Sequence, residues 1–206
     1  MSGLLITWEG LDRVGKTTQL RLVADWLRGE VREVVTVREP GGTPFGEKLR
    51  EVLLREADAV SSLAEFLAFA AARAELMETV VLPALARHAV VLMDRFIDSS
   101  VAYQAFGRGV ELDVVQTVNR AATRGRMPDL TIWLKGEPFG DSEGVDRVEG
   151  RTPAYFRRVE AGYRWLSEQE PERWVVLDAR QDPAVIFEAE RARIRQILIQ
   201  KGGDPR

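Results

Sequence analysis

The chain has 206 residues, a net charge of −3 and 45% apolar residues. That is enough for one sizeable α/β domain with one core, and the charge balance gives no argument for a nucleic-acid or membrane-surface role. There is no cysteine, which removes disulfides, thiolate nucleophiles and most zinc sites and fits a cytoplasmic protein. No basic-then-apolar leader opens the sequence and no apolar run is long enough to span a membrane, so a cytoplasmic location without membrane contact is expected.

The elements follow in chain order. Leu4 to Trp8 is a short apolar run and reads as a buried strand. From Thr17 to Arg28 the apolar residues Leu20, Val23, Ala24 and Leu27 have helical spacing. Val34 to Val37 is a second strand, Phe45 to Arg55 a helix, and Ser61 to Leu85 a long helix bent near Pro83. Ala89 to Met93 is a third strand, with helical stretches through Gln104 and from Leu112 to Thr123. Leu130 to Leu134 and Trp174 to Leu177 complete the strands, separated by a glycine- and acid-rich loop from Gly136 to Gly150 and a helix from Pro153 to Gln169. Asp182 to Gln200 is a closing amphipathic helix. Strands alternating with helices predict a five-stranded parallel sheet flanked by helices, in one domain over residues 1–206. The single histidine, His88, falls at a helix end and reads as a capping or surface residue.

Between the first strand and first helix lies GLDRVGKTT, Gly10 to Thr18. Gly10, Gly15, Lys16 and Thr17 meet the pattern G-x-x-x-x-G-K-[ST] in the strand–loop–helix context it requires. The glycines let backbone N–H groups converge on one centre, and the helix adds its positive end. Lys16 can reach β- and γ-phosphates and the Thr17 hydroxyl can ligate Mg²⁺. The fold class is therefore a P-loop NTPase, and Gly10, Leu11, Asp12, Arg13, Val14, Gly15, Lys16, Thr17 and Thr18 form the expected ATP-binding loop. No Asn-Lys-x-Asp guanine-reading motif is present, and the third strand ends in Asp94-Arg95 rather than in paired acids. A kinase, which needs cations around two facing anions, fits better than a GTPase or a water-activating ATPase.

Three further stretches read as walls of a second anion site. VREPGGT puts Arg38 at a strand's carboxyl end, where ligands gather in parallel sheets. MDRFIDSSVAYQAFGRG puts Asp94 and Arg95 at another, with Arg95 suited to gripping a phosphate and Asp94 to holding a metal's water shell or orienting that arginine. Ser100, Tyr103 and Gln104 lie three and four apart, a polar and aromatic lining for a base and sugar. In FAAAR, Phe69 and Arg73 share a helix face and could stack on and hydrogen-bond a base.

EGLDRVGKTTQ, REPGGTPFGEKLRE, FAAAR, DRFIDSSVAYQAFGRG, PDLTIWL and DRVEG, in this order, resemble the thymidylate kinase family. The resemblance implies transfer of the ATP γ-phosphoryl to dTMP, with Mg²⁺, giving dTDP and ADP. It implies that Phe69 stacks on thymine, Arg73 bonds its O4, Ser100 sits near the base, and Arg95 and Arg38 hold the 5′-phosphate. Tyr103 would crowd the 2′ position, Asp12 would reach the 3′-OH or order nearby arginines, and Gln104 would line the acceptor pocket. Family members differ in carrying a loop arginine or a glycine at the position of Arg13. This chain resembles the first kind, with Arg13, Lys16 and Arg95 expected to be catalytic. GEPFGDSEGVDRVEG, about 136–150, is the expected mobile lid closing over ATP, with Arg147 its interior cation and a further catalytic candidate. The sequence departs from the family at Ala105 and Phe106, and at Lys135, where an Asp is expected.

The rival expectations are another nucleoside monophosphate or deoxynucleoside kinase, or a nucleotide-dependent switch without catalysis. The helix from Ser61 to Leu85 is apolar on more than one side, at Leu63, Phe66, Leu67, Leu76, Val80 and Val81. That pattern, and the resemblance, predict a homodimer through this helix.

Overall fold

A computed structural model describes residues 3–30, 33–56, 60–137 and 152–202. Five strands, β1 (Leu4–Glu9), β2 (Val34–Arg38), β3 (Val90–Asp94), β4 (Leu130–Lys135) and β5 (Trp174–Asp178), form one parallel sheet in the order β2-β3-β1-β4-β5. β1 is buried along its whole length between β3 and β4, which is why it reads as an unbroken apolar run rather than as an alternation. Because all five strands run the same way, the loops leaving β1, β2 and β3 gather at one carboxyl edge of the sheet.

Helices α1 (Lys16–Glu30), α2 (Pro44–Glu56), α3 (Ser62–Leu76), α4 (Leu82–Ala86), α5 (Ile97–Ser100), α6 (Leu112–Ala122), α7 (Pro153–Gln169) and α8 (Pro183–Gln200) cover it. Leu20, Val23, Ala24 and Leu27 of α1 pack with β1, β3, β4 and α8 into one core, as the spacing predicts. A second core joins α3, the 101–107 segment, α6 and α7 to Trp133 and Trp174.

The long helix expected from Ser61 to Leu85 runs through α3 and α4, but a wider π-helical turn, Met77–Val81, joins them. Pro83 has no N–H to donate and its ring displaces the carbonyl four residues back, so the turn widens just before it. Ser61 caps α3 by accepting from Ala64 N at 3.3 Å. His88 lies exposed in the turn after α4 with φ 66°, a left-handed residue ending a helix rather than a catalyst. No helix among the described residues is long and apolar enough to cross a membrane. Arg147 and residues 138–150 of the expected lid lie outside the described residues.

Candidate active site

The loop between β1 and α1, residues 10–15, depends on two glycines. Gly10 has φ 133° and a Cβ there would come within 2.4 Å of the Leu134 carbonyl oxygen, so no side chain fits. Gly15 has φ 96°, again a conformation for glycine. Val14 is buried in the core and Leu11 packs against it, anchoring the loop from beneath. Lys16, 5% exposed, donates from Nζ to the carbonyls of Gly10 at 3.2 Å and Leu11 at 2.6 Å. Burial first, and then the neighbouring Arg95 charge, lower its pKa to about 8. A phosphate would supply the countercharge that this buried ammonium draws only partly from nearby carboxylates.

Thr17 Oγ1 donates to Asp94 Oδ2 at 2.7 Å, linking the start of α1 to the end of β3. One hydroxyl and one carboxylate, both hard oxygen donors, are of the kind that would hold a Mg²⁺ ion.

A cavity of about 860 Å³ opens over this loop, lined by Asp12, Arg13, Gly15, Lys16, Thr17 and Thr18, by Arg38, Glu39, Glu47 and Arg50, and by Asp94 and Arg95 among others. A smaller cavity of about 110 Å³ adjoins it, with Asp12, Glu39, Arg50 and Arg95 lining both. Phe69, Arg73, Phe96, Ser99, Ser100, Tyr103 and Gln104 line the second, with Pro40 and Leu54. The smaller cavity thus gathers every acceptor-site residue expected from sequence except Arg38, which lines the larger one. Gly10, Leu11 and Val14 line neither and shape the loop instead.

Arg95 sits where the cavities meet. Its Nη2 donates to Asp12 Oδ1 at 2.5 Å and to the Tyr103 hydroxyl at 3.2 Å, and its Nη1 donates to Ser99 Oγ at 3.0 Å. Its guanidinium also lies 4.9 Å from the Tyr103 ring centre. Behind it, buried Glu9 accepts from Ser99 Oγ at 2.5 Å, Tyr163 OH at 2.9 Å and Phe96 N at 2.8 Å. Burial, then the charge of Asp98, push Glu9 up to about 7, with the Ser99 hydrogen bond opposing. Asp12 Oδ1 thus holds one arm of the Arg95 guanidinium from the loop side.

Arg73 is 2% exposed. Its Nε and Nη2 donate to Glu39 Oε2 at 2.8 and 2.6 Å, its Nη2 also to Ser100 Oγ at 3.0 Å, and its Nη1 to Asn119 Oδ1 at 2.5 Å. Glu39 Oε1 is buried with no partner, and burial raises its carboxyl pKa against the pull of Arg73. Arg38 is exposed and pairs with Glu47 at 3.2 Å. Ser100 ends α5, and Tyr103 and Gln104 belong to a π-helical segment, Val101–Gly107, rather than to a regular helix. Lys135 at the end of β4 is exposed, with Nζ 3.4 Å from Glu160 Oε1.

Arg50 and Glu39 line both cavities and were not singled out from sequence. Arg50 donates from Nη1 to the Pro40 carbonyl at 3.0 Å, so α2 folds it back over the PGGT turn. Its helical position beside that turn was the available signal. Glu9, Ser99 and Tyr163 were missed because the last of them is 154 residues from Glu9.

The comparisons with known proteins agree with one another. The family model described as thymidylate kinase matches residues 8–189. A thymidylate kinase of Chlorobaculum parvum is 40% identical, over 97% of this chain and 99% of its own. One of Caldanaerobacter subterraneus is 40% identical over 96% and 98%. The crystal structure of a thymidylate kinase from Ehrlichia chaffeensis superposes with a TM-score of 0.78 at 31% identity, covering 94% of this chain and 99% of that one. With a glycine-bracketed loop lining one cavity, a second cavity walled by arginines and a match along nearly the whole sequence, the chain belongs to the thymidylate kinase family.

Proposed function

We propose that this chain transfers the γ-phosphoryl group of ATP to dTMP, giving dTDP and ADP, with Mg²⁺. The observation that carries the reading is the junction of the two cavities at Asp12, Glu39, Arg50 and Arg95. A triphosphate on the loop and a monophosphate in the smaller cavity would meet there, end to end.

Phosphoryl transfer asks little covalent work of a protein; it needs the two anions aligned and their charge offset. Loop N–H groups and Lys16 hold the donor phosphates, and Thr17 with Asp94 would hold Mg²⁺, which adds positive charge at the donor. Arg95, fixed by Asp12, Ser99 and Tyr103, grips the acceptor phosphate, with Arg38 and Arg50 beside it. Arg13 lines the donor cavity and supplies a further cation to the migrating group. Phe69, Arg73, Ser100, Tyr103 and Gln104 take the thymidine moiety. Arg147 would add a further cation, within one kinase domain.

We propose a homodimer as the working form. Leu63 and Leu67 of α3 are each 46% exposed, and Phe45 and Val52 of α2, the helix packed against it, are 48% and 54% exposed. Their neighbours Phe66, Leu76 and Val81 are fully buried, so the helix is apolar both inward and outward. Action in the cytoplasm is part of the same proposal, on the absence of cysteine.

The test is a coupled ADP-release assay with dTMP, dUMP, dCMP, dGMP and thymidine, with and without Mg²⁺. The expected result is turnover that requires a monophosphate, is fastest with dTMP, and is lost without the metal. ADP release independent of any acceptor, or fastest with thymidine, would overturn the assignment.

A further inference from the structure

Gln104 lines the smaller cavity, and its Nε2 donates to Glu65 Oε1 at 3.2 Å. Glu65 lines neither cavity. It lies in the first turn of α3 and is 1% exposed. Its Oε2 is 3.2 Å from Arg108 Nη1, and Arg108 Nη2 is itself tied to the Val60 carbonyl at 3.2 Å. A carboxylate paired with a guanidinium accepts hydrogen bonds and donates none. An amide has one donating end and one accepting end, so Glu65 dictates which end of Gln104 turns toward it. The NH₂ end is taken, and the carbonyl Oε1 is the end left for the cavity.

Arg73, on the same cavity wall, has donors only. The two side chains therefore present a donor and an acceptor. A pyrimidine with a C4 carbonyl and an N3–H complements that pair. A 4-aminopyrimidine, with an exocyclic NH₂ and an unprotonated N3, would set donor against donor and acceptor against acceptor. A site built to hydrogen-bond one pattern rejects the reversed pattern strongly, because buried polar groups are left unpaired.

We propose that Glu65, held by Arg108, is a positioning residue that fixes the amide orientation of Gln104 and so makes the site select N3–H pyrimidines over 4-aminopyrimidines. The pair adds little that a well-packed apolar pair would not add to stability. Its accept-only character at Gln104 is what an apolar pair lacks. The inference rests on the reading that the smaller cavity takes the acceptor's base.

The experiment compares kcat/KM for dTMP and 5-methyl-dCMP, which share the sugar, phosphate and methyl group and differ only at C4 and N3. Glu65→Gln keeps the shape but offers a donor to Gln104, so the amide can turn over. The preference for dTMP should fall by about tenfold or more, through KM for the acceptor, with kcat for dTMP and KM for ATP little changed. In a Gln104→Ala background the same substitution should add nothing to the ratio. Glu65→Asp, still accept-only, should keep more of the preference than Glu65→Gln. Where the single variant does not fold, Glu65→Gln with Arg108→Met removes the stranded charge and carries the same measurement.

An unchanged ratio in Glu65→Gln, or an equal effect with and without Gln104, would overturn the proposal while leaving dTMP phosphorylation standing. A wild-type enzyme that does not use dTMP would instead sink the functional reading. A ratio untouched by Gln104→Ala alone would remove Gln104 from the base and overturn the proposal from that side.

Discussion

Arg13 and Arg95 share a left-handed backbone, φ 61° and 69°, in the loops leaving neighbouring strands β1 and β3, and both line the larger cavity. For a residue with a Cβ this conformation costs about 1–2 kcal/mol. His88 and Arg124 adopt it too, with φ 66° and 52°, outside both cavities, so the conformation alone marks no site. What sets the first pair apart is two such arginines aimed, with Lys16, at one space.

Activity and stability should therefore move in opposite directions in Arg13→Gly. Glycine adopts the loop conformation freely, so unfolding free energy should stay level or rise by up to about 1 kcal/mol. Loss of the cation should lower kcat by a factor on the order of 10³, with a smaller change in ATP affinity. Steady-state kinetics beside urea denaturation would check both; near wild-type turnover would remove Arg13 from the mechanism.

A packing substitution remote from the phosphates should reach the acceptor pocket. A Cβ on Gly162 of α7 would lie 2.9 Å from Ala102 Cα and 3.0 Å from Phe106 Cγ. Ala102 is backbone of the segment that carries Tyr103 and Gln104, so it cannot simply turn aside. Gly162→Ala should destabilise by about 1–3 kcal/mol and raise KM for dTMP more than KM for ATP. Equal rises in both would show that the strain is absorbed elsewhere.

Stability should carry a signature of Glu190. It is fully buried, its Oε1 accepts from Trp8 Nε1 at 2.9 Å, and burial pushes its carboxyl up to about 8, with the Trp8 bond opposing. The unfolded chain ionises this group near 4.5. Its favourable contribution is thus complete below about that pH and is lost as pH rises toward about 8. Glu190→Gln does not titrate. Its unfolding free energy should gain on wild type across that window, by a few kcal/mol in order of magnitude at the alkaline end. Parallel stability curves for the two proteins at pH 5, 6.5 and 8 would contradict the assignment.

The outward apolar face of α3 gives a test of assembly. Leu67→Lys places a charge in the proposed contact and should weaken a dimer by roughly 2 kcal/mol or more, seen as a concentration-dependent fall in mass by light scattering. Because Leu67 lines neither cavity, acceptor preference should persist. A wild-type protein of monomer mass throughout would dispose of the dimer.

Sheet and helices were legible because each rests on local chemistry. The buried parallel strands are continuous apolar runs, and α7 begins where Thr152 caps and Pro153 opens it. The phosphate loop was legible for the same reason, since its glycines, Lys16 and Thr17 are close in sequence. Arg50, Glu39 and Glu65 were not, because their importance lies in the partners that the fold sets opposite them. Glu39 meets Arg73 from 34 residues away and Glu65 meets Gln104 from 39. The wider turn at Val101–Gly107 also escaped, since spacing rules assume a regular helix.

That wider turn has a consequence for how the chain can vary. A π-helical stretch holds about one residue more per turn than its α counterpart, accommodated without a loop. Deleting one position from Val101 to Gly107 would let the stretch close up as an ordinary helix, with the chain on either side kept in place and the side chains within the stretch redistributed about its axis. Gln104 or Tyr103 would then swing out of register with Glu65 and Arg95. Residue count in this stretch is accordingly less negotiable than residue identity, which is where Ala105 and Phe106 find their latitude.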